Sequence, residues 1–409
     1  MEQIVELSDS LTRGLWRPYH RRFMAELRAA SRFTLVTGKR GVGKTTCLVQ
    51  LCVEQAARAG GVPGALYLPM DHVRLRGVSM YDVAEWFVGR GGELLCVDET
   101  HTAPDWAAQL KSIHDSFPSL RLVASGSSAI RLEAAGRDLS RRLLVHRLPE
   151  LSFREHLELC HGCTLEPMTL EDVTSDPAAR ARAVVDGLGA KGLKVLACFD
   201  EFVRVGAYPF HREFQDRELF YRAVAQTVRT AIDVDLLAAH PQLSGASVRA
   251  MQKLLSFLSA SVPFTPDLRK LKGILGIGDE RTLKTYLEYL AEAGVLLLLM
   301  PSDRKLAGLE KPDRIYLGDT VQLFAAAGDR AERGTVRETF FLQSLLPVHR
   351  VVAPGQGDFL VDGHLRVEVG GRSKTRRQIA ADHHAVLAVD DIETGAGGRV
   401  PLWLFGFLR

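Results

Sequence analysis

Eight consecutive residues, Gly38-Lys39-Arg40-Gly41-Val42-Gly43-Lys44-Thr45, have the spacing G-x-x-x-x-G-K-T that cradles the phosphates of a nucleotide. Glycines let successive backbone N–H groups turn onto an anion, Lys44 adds a point charge, and the Thr45 hydroxyl suits Mg²⁺. Thr46 continues the binding segment. Further on, Glu93-Leu94-Leu95-Cys96-Val97-Asp98-Glu99 ends an apolar run in two carboxylates. Such a pair divides the work of triphosphate hydrolysis: Asp98 would hold the metal through water, and Glu99 would polarise the attacking water. A third apolar run ends in Ser125-Gly126-Ser127-Ser128, where Ser127 or Ser128 could touch the γ-phosphate or the water, or could simply cap the next helix. No N-K-x-D string that would read guanine is present, which favours ATP.

These groups work only if the chain brings them to one edge of a sheet. The apolar run Phe33 to Val36 predicts a strand before the phosphate loop, and Thr46 to Ala59 predicts a helix whose positive dipole end faces the anion. A helix over Trp106 to Phe117 then separates the acidic strand from the serine-ended one, as in parallel α/β sheets whose ligands sit at the carboxyl ends of the strands. A second run of similar appearance, Val195-Leu196-Ala197-Cys198-Phe199-Asp200-Glu201, is read instead as a helix with Leu193, Leu196 and Val203 on one face.

The chain has 409 residues, 46% hydrophobic and 25% charged, so several domains of ordinary globular composition are expected. No segment reaches the roughly 18 consecutive apolar residues of a membrane span, and Met-Glu-Gln-Ile-Val-Glu lacks a secretory pattern, so a cytoplasmic location without a membrane partner is expected. A net charge of +3 is too small to announce nucleic-acid binding. The cysteines, Cys47, Cys52, Cys96, Cys160, Cys163 and Cys198, are expected to be reduced. Cys160-His161-Gly162-Cys163 is a lone C-x-x-C without a second pair at zinc spacing, and is read as an inert helix-end pair.

Taken with Asp98-Glu99-Thr100-His101, Trp106, Gly126-Ser127-Ser128 and Leu148-Pro149-Glu150-Leu151-Ser152-Phe153-Arg154-Glu155, the phosphate loop resembles that of a prokaryotic AAA+ ATPase family. The resemblance implies ATP and Mg²⁺ as cofactors and a four-part α/β chain. Its parts are a P-loop ATPase domain over 1–157, a helical lid over 158–240, a winged helix over 241–305 and an endonuclease-like α/β domain over 306–409. The family places a Gly-Arg pair six residues before the Leu that opens its Pro-Leu-Ser-Phe segment; counting back from Leu148 sets Arg142 at the arginine, with Arg141 where the glycine stands. Arg142 is then either an arginine finger acting on a neighbour in a homo-oligomer, or one member of a solvated basic face with Arg137, Arg141 and Arg147. Val205-Gly206-Ala207-Tyr208-Pro209 resembles the family's Gly-Gly-Tyr-Pro element, with Ala207 departing from it. Asp98-Glu99-Thr100-His101 also fits a helicase box, but no second helicase core follows.

Beyond the lid, Val248, Met251, Leu254, Leu255 and Leu258 predict one helix, Leu268, Leu271 and Leu275 a second, and Leu283, Tyr286, Leu287 and Leu290 a third, followed by a strand over Val295 to Met300. This is a winged helix-turn-helix layout. The outward residues of the third helix, Arg281, Lys284, Thr285, Glu288 and Glu292, are mixed in sign, which leaves double-stranded DNA and a protein partner both open. In the C-terminal part, Glu338, Asp358 and Glu368 match a loose nuclease pattern. A three-residue loop Asp362-Gly363-His364 would pair Phe359 with Val367 and Val361 with Leu365, and would set Asp358 beside Glu368. The lysine expected two residues after the last carboxylate is Gly370, so the nuclease centre is read as vestigial, although Lys374 and Arg372 stand nearby and Arg372, Lys374, Arg376 and Arg377 could hold a phosphate backbone. The expected activity is ATP hydrolysis used as a conformational switch; the alternative is a non-catalytic, nucleotide-gated DNA-binding regulator.

Overall fold

The computed structural model describes residues 1–58, 64–127, 142–261, 263–302, 311–375 and 385–409. Ser128, Arg137, Arg141, Arg376 and Arg377 lie outside them. The chain divides into two compact units, Met1–Pro149 with Asp235–Pro241, and Glu150–Val234 with Gln242–Arg409.

In the first unit five strands form a parallel sheet: β1 Phe33–Gly38, β2 Ala65–Pro69, β3 Leu94–Asp98, β4 Arg121–Ser127 and β5 Leu144–Arg147, in the order β2-β3-β4-β1-β5. Every residue of β1 and β3 is buried, as continuous apolar runs covered on both faces must be. The Lys44–Arg58 and Trp106–Ser116 helices lie where the sequence places them. Leu35, Leu66, Leu68, Leu95, Val97, Phe87, Leu110 and Leu122 share one core. What the order of the segments does not disclose is that β4 inserts between β1 and β3. Gly38 therefore stands opposite Ser127, and Val97 opposite Ala124. The serines of β4 thus separate the phosphate loop from the acid pair.

The second unit begins at a capping box: the Ser152 hydroxyl accepts from the Glu155 N–H while the Glu155 carboxylate accepts from the Ser152 N–H, starting the helix Phe153–His161. Phe153 packs edge-on against Phe199, Trp403 and Phe407, so the early helices and the chain's last residues share a core. The run Val195–Glu201 is helical, as its spacing predicts. The helices Gly245–Ser259, Leu268–Leu275 and Glu280–Glu292 follow, burying Val248, Met251, Leu254, Leu258, Leu268, Leu271, Leu275, Leu283, Leu287 and Leu290. Strand β6, Leu296–Leu299, pairs antiparallel with β7, Arg314–Leu317.

A mixed sheet closes the unit, with β8 Val351–Val352, β9 Phe359–Val361, β10 Leu365–Gly370, β11 Ala385–Val389 and β12 Arg399–Pro401 in the order β12-β11-β10-β9-β8. The β9–β10 register is the one that apolar matching predicts, Phe359 opposite Val367 and Val361 opposite Leu365. Asp362 and Gly363, with φ of 49° and 78°, make the left-handed turn that this loop needs.

A candidate nucleotide site at the carboxyl edge of the parallel sheet

Gly41 and Gly43 adopt φ of 80° and 100°, a conformation that side chains resist, so the loop's N–H groups can turn inward. Gly38 is needed for space, because a Cβ there would stand 2.5 Å from the Leu148 carbonyl oxygen. Val42 is fully buried and its carbonyl accepts from Arg21, which also donates to the Pro149 carbonyl. The loop is therefore fixed from outside as well as by its own sequence. Lys44 Nζ donates to the carbonyls of Gly38 and Lys39 at 2.9 and 3.0 Å, spanning the mouth of the loop. Burial pushes the Lys44 pKa down, against the pull of Glu99 and Asp98.

Asp98 is the hub. Its Oδ2 accepts from Thr45 Oγ1 and from the Tyr67 hydroxyl, each at 2.7 Å, and its Oδ1 accepts from the Ser125 hydroxyl. Thr45 and Asp98 come from elements separated by 53 positions, and their contact brings together the oxygen donors that Mg²⁺ requires. Among the described residues the buried Ser127 hydroxyl has no hydrogen-bond partner, beside the first residue of the phosphate loop. A buried hydroxyl is costly unless something pairs with it, and a phosphate oxygen or water is the chemistry it suits. The donor set thus fits a magnesium nucleotide.

Glu99 sits at φ 48°, a left-handed conformation rare for a residue with a side chain. Its N–H donates to Asp98 Oδ1 and Ser125 Oγ, and its Oε2 lies 3.5 Å from His101 Nδ1. Burial raises its pKa, Lys44 and Arg40 oppose that, and Asp98 and Asp235 add to it. Arg40, expected among the phosphate-binding residues, instead pairs in a fork with Asp235, whose side chain is only 2% exposed. That pairing also shows why Asp235–Pro241 belongs to this unit. Thr46 is half-buried one residue after Thr45.

Arg142 is elsewhere. It pairs with Asp115 at 2.8 Å, at the end of the Trp106–Ser116 helix, and precedes β5, which starts opposite Thr34 at the amino end of β1. The phosphate loop leaves the other end of that strand. Leu144 and Val145 of β5 are 55% and 42% exposed, an apolar edge next to Arg142.

The C-terminal carboxylates do converge. Lys374 Nζ lies 2.8 Å from Glu368 Oε2 and 3.5 Å from Asp358 Oδ2, and Arg314 reaches Glu338 and Asp358 at 3.3 and 3.8 Å. Tyr316 donates to Glu338 at 2.6 Å, and the Val369 N–H donates to Asp358 at 2.9 Å. Gly370 carries no side chain because Lys374 fills its place: a Cβ at 370 would fall 2.6 Å from Lys374 Cβ. Lys374, which follows β10, thus brings its ammonium to two of these carboxylates.

Sequence reasoning missed Tyr67, Asp235 and the part played by Ser125. Alternation along β4 puts Ser125 on the same face as Ser127, a signal that could have found it. Nothing local marks Tyr67 or Asp235.

Residues 30–157 match the family model described as AAA domain. No curated protein gives a significant match. Among solved structures, C. elegans PCH-2 aligns at 12% identity and TM-score 0.24 over 69% of this chain and 68% of that one. AMPPCP-bound DnaA from Aquifex aeolicus aligns at 12% and 0.25 over 66% and 86%. Hsp104 in its closed state with ATPγS and FITC casein aligns at 16% and 0.30 over 70% of this chain and 53% of its own. Likenesses this loose transfer no role. The family match and the phosphate loop within it support an AAA-type nucleotide-binding domain over residues 30–157. Among the described residues no helix is long and apolar enough to cross a membrane.

Proposed function

We propose that this AAA-type domain binds Mg-ATP and hydrolyses it, as a switch that sets the conformation of the rest of the chain. The observation that carries the reading is the contact of Thr45 with Asp98 beside a buried Ser127 hydroxyl that has no partner among the described residues. Backbone N–H groups of Gly38 to Thr46 and the Lys44 ammonium would take the phosphates, Lys44 exchanging its carbonyl partners for phosphate oxygens. Thr45 and Asp98 would hold Mg²⁺, which when bound spreads positive charge over the β- and γ-phosphate oxygens. Glu99 would orient the attacking water and take its proton at a carboxylate oxygen, with its backbone pinned by Asp98 and Ser125. Ser127 would hydrogen-bond the γ-phosphate or that water. In the Lys44→Ala chain, ATP affinity measured by calorimetry should weaken about 100-fold, the loss of roughly 3 kcal/mol expected for a buried charge-assisted contact. Unchanged affinity would remove Lys44 from the site.

The exposed apolar edge of β5 beside Arg142 supports a homo-oligomer in which Arg142 completes a neighbour's site. We read the three helices of 245–292 with the β6–β7 hairpin as a winged helix, a rigid module that the switch moves. Duplex DNA as its partner is the rival output; ATP-dependent, salt-sensitive duplex binding would favour it.

For the C-terminal sheet we propose a nuclease-like core that no longer cleaves, because Arg314 and Lys374 already neutralise its carboxylates. Assays with Mg²⁺ or Mn²⁺ on plasmid DNA should show no cleavage that Asp358→Ala abolishes. Lys374→Met should instead lower the urea-unfolding stability by about 3 kcal/mol, since it strips an ion partner from a buried carboxylate. Asp358-dependent cleavage would overturn this reading.

A further inference from the structure

Away from the nucleotide site, the second unit gathers a thiol and two imidazoles at metal-ligand spacing. Residues His156 and Cys160 are four apart on the Phe153–His161 helix and so share a face. His211 comes from the turn Pro209–Glu213. Cys160 Sγ stands 3.6 Å from His156 Nδ1 and 3.7 Å from His211 Nε2, and the three atoms all lie within 4.8 Å of one another. With Zn–S of about 2.3 Å and Zn–N of about 2.0 Å, a tetrahedral ion separates sulfur and nitrogen ligands by about 3.5 Å. The ligand atoms are already at that separation.

Three further observations point to an ion. His211 Nδ1 lies 2.8 Å from the Tyr208 carbonyl, which can only accept, so that nitrogen carries the proton and Nε2 turns a lone pair to the thiol. Metal-bound histidines are oriented in this way. His156 is fully buried, so the Nδ1 that faces the thiol is shut off from bulk water. Finally, Gly206 ends a π-helical turn, Phe202–Gly206, and a Cβ there would stand 2.9 Å from His156 Nδ1. The glycine makes room first for the Phe202 ring, closest to such a Cβ, and next for that nitrogen. Glu201, on the exposed side, forms an overlapping group with His156 and His161, again within 4.8 Å of one another.

We propose that His156 Nδ1, Cys160 Sγ and His211 Nε2 bind a borderline-soft divalent ion, Zn²⁺ by ligand type, with water in the fourth position. The C-x-x-C string is misleading: Cys163 Sγ turns to the His161 carbonyl, and the working pattern is H-x-x-x-C joined by a histidine 51 residues on. Binding converts the Cys160 thiol to a thiolate, so one proton leaves per ion and no electron moves. The ion would staple the Phe153–His161 helix to the turn that follows Tyr208.

The test is a Co²⁺ titration of the full chain after chelator treatment, followed by Zn²⁺ displacement. One Co²⁺ per chain should bind with a thiolate-to-cobalt charge-transfer band and intense tetrahedral d–d bands. Cys160→Ser should abolish the charge-transfer band, Cys163→Ser and Cys198→Ser should keep it, and Gly206→Ala should weaken binding at least tenfold. No thiolate band in the wild type at stoichiometric Co²⁺, or one that survives Cys160→Ser, overturns the site. Should Cys160→Ser fail to fold by circular dichroism, alkylation of the wild type decides: Zn²⁺ must protect Cys160, and equal alkylation with and without Zn²⁺ also overturns it.

Discussion

Arg142→Ala should cut ATP turnover by about 10³-fold or more while leaving ATP affinity within about twofold, the effect of removing a charge that acts only in the transition state. On the reading proposed above, this is a contribution to a neighbour. Leu144 stands opposite Thr34, and the phosphate loop starts at Gly38, four residues further along β1. At about 3.3 Å per residue those four residues and the two from Leu144 back to Arg142 put Arg142 roughly 20 Å from its own loop, beyond the reach of an arginine side chain. The Asp115 partner is exposed and weakly held in salt, so the guanidinium can leave it. Mixing the Arg142→Ala chain with the Lys44→Ala chain, each inactive, should therefore restore part of the turnover, because an intact phosphate loop from one meets an intact arginine from the other. No recovery on mixing would return Arg142 to the ordinary basic surface.

Glu99→Gln should bind ATP as tightly as the wild type and hydrolyse it about 10²- to 10⁴-fold more slowly, as loss of a positioned general base does. The sign of its pH dependence follows from the raised pKa of Glu99. The base works ionised, so activity is present above that pKa and disappears as pH falls through it. The acid limb of kcat should thus lie above the ordinary carboxylate range and be absent from the residual activity of Glu99→Gln. A limb at the ordinary position, or one that persists in the variant, would assign it to another group.

The phosphate loop and acid pair were legible because their residue types are their chemistry, and each lies at the end of a continuous apolar run. The β9–β10 register was legible because one loop length alone matches apolar with apolar. Partners supplied by topology were not. Ser125 reaches Asp98 because β4 enters between β1 and β3, Tyr67 because β2 pairs with the other edge of β3, and Asp235 meets Arg40 across 195 positions. Lys374 could be named only as a nearby substitute because spacing points to position 370, whereas a turn returns the later side chain to the same carboxylates. In the Cys160 region the sequence-adjacent pair drew attention away from His156 and His211, which only the fold brings to the thiol.

Steady-state phosphate release by the wild type and Glu99→Gln, with bound nucleotide quantified on the same samples across protein concentration, tests the central claim most directly. Magnesium-dependent turnover that rises per chain with concentration and vanishes in Glu99→Gln, with ATP bound equally by both, is the predicted result. Equal ATP binding with no turnover in either protein would contradict it and leave a nucleotide-gated binding module.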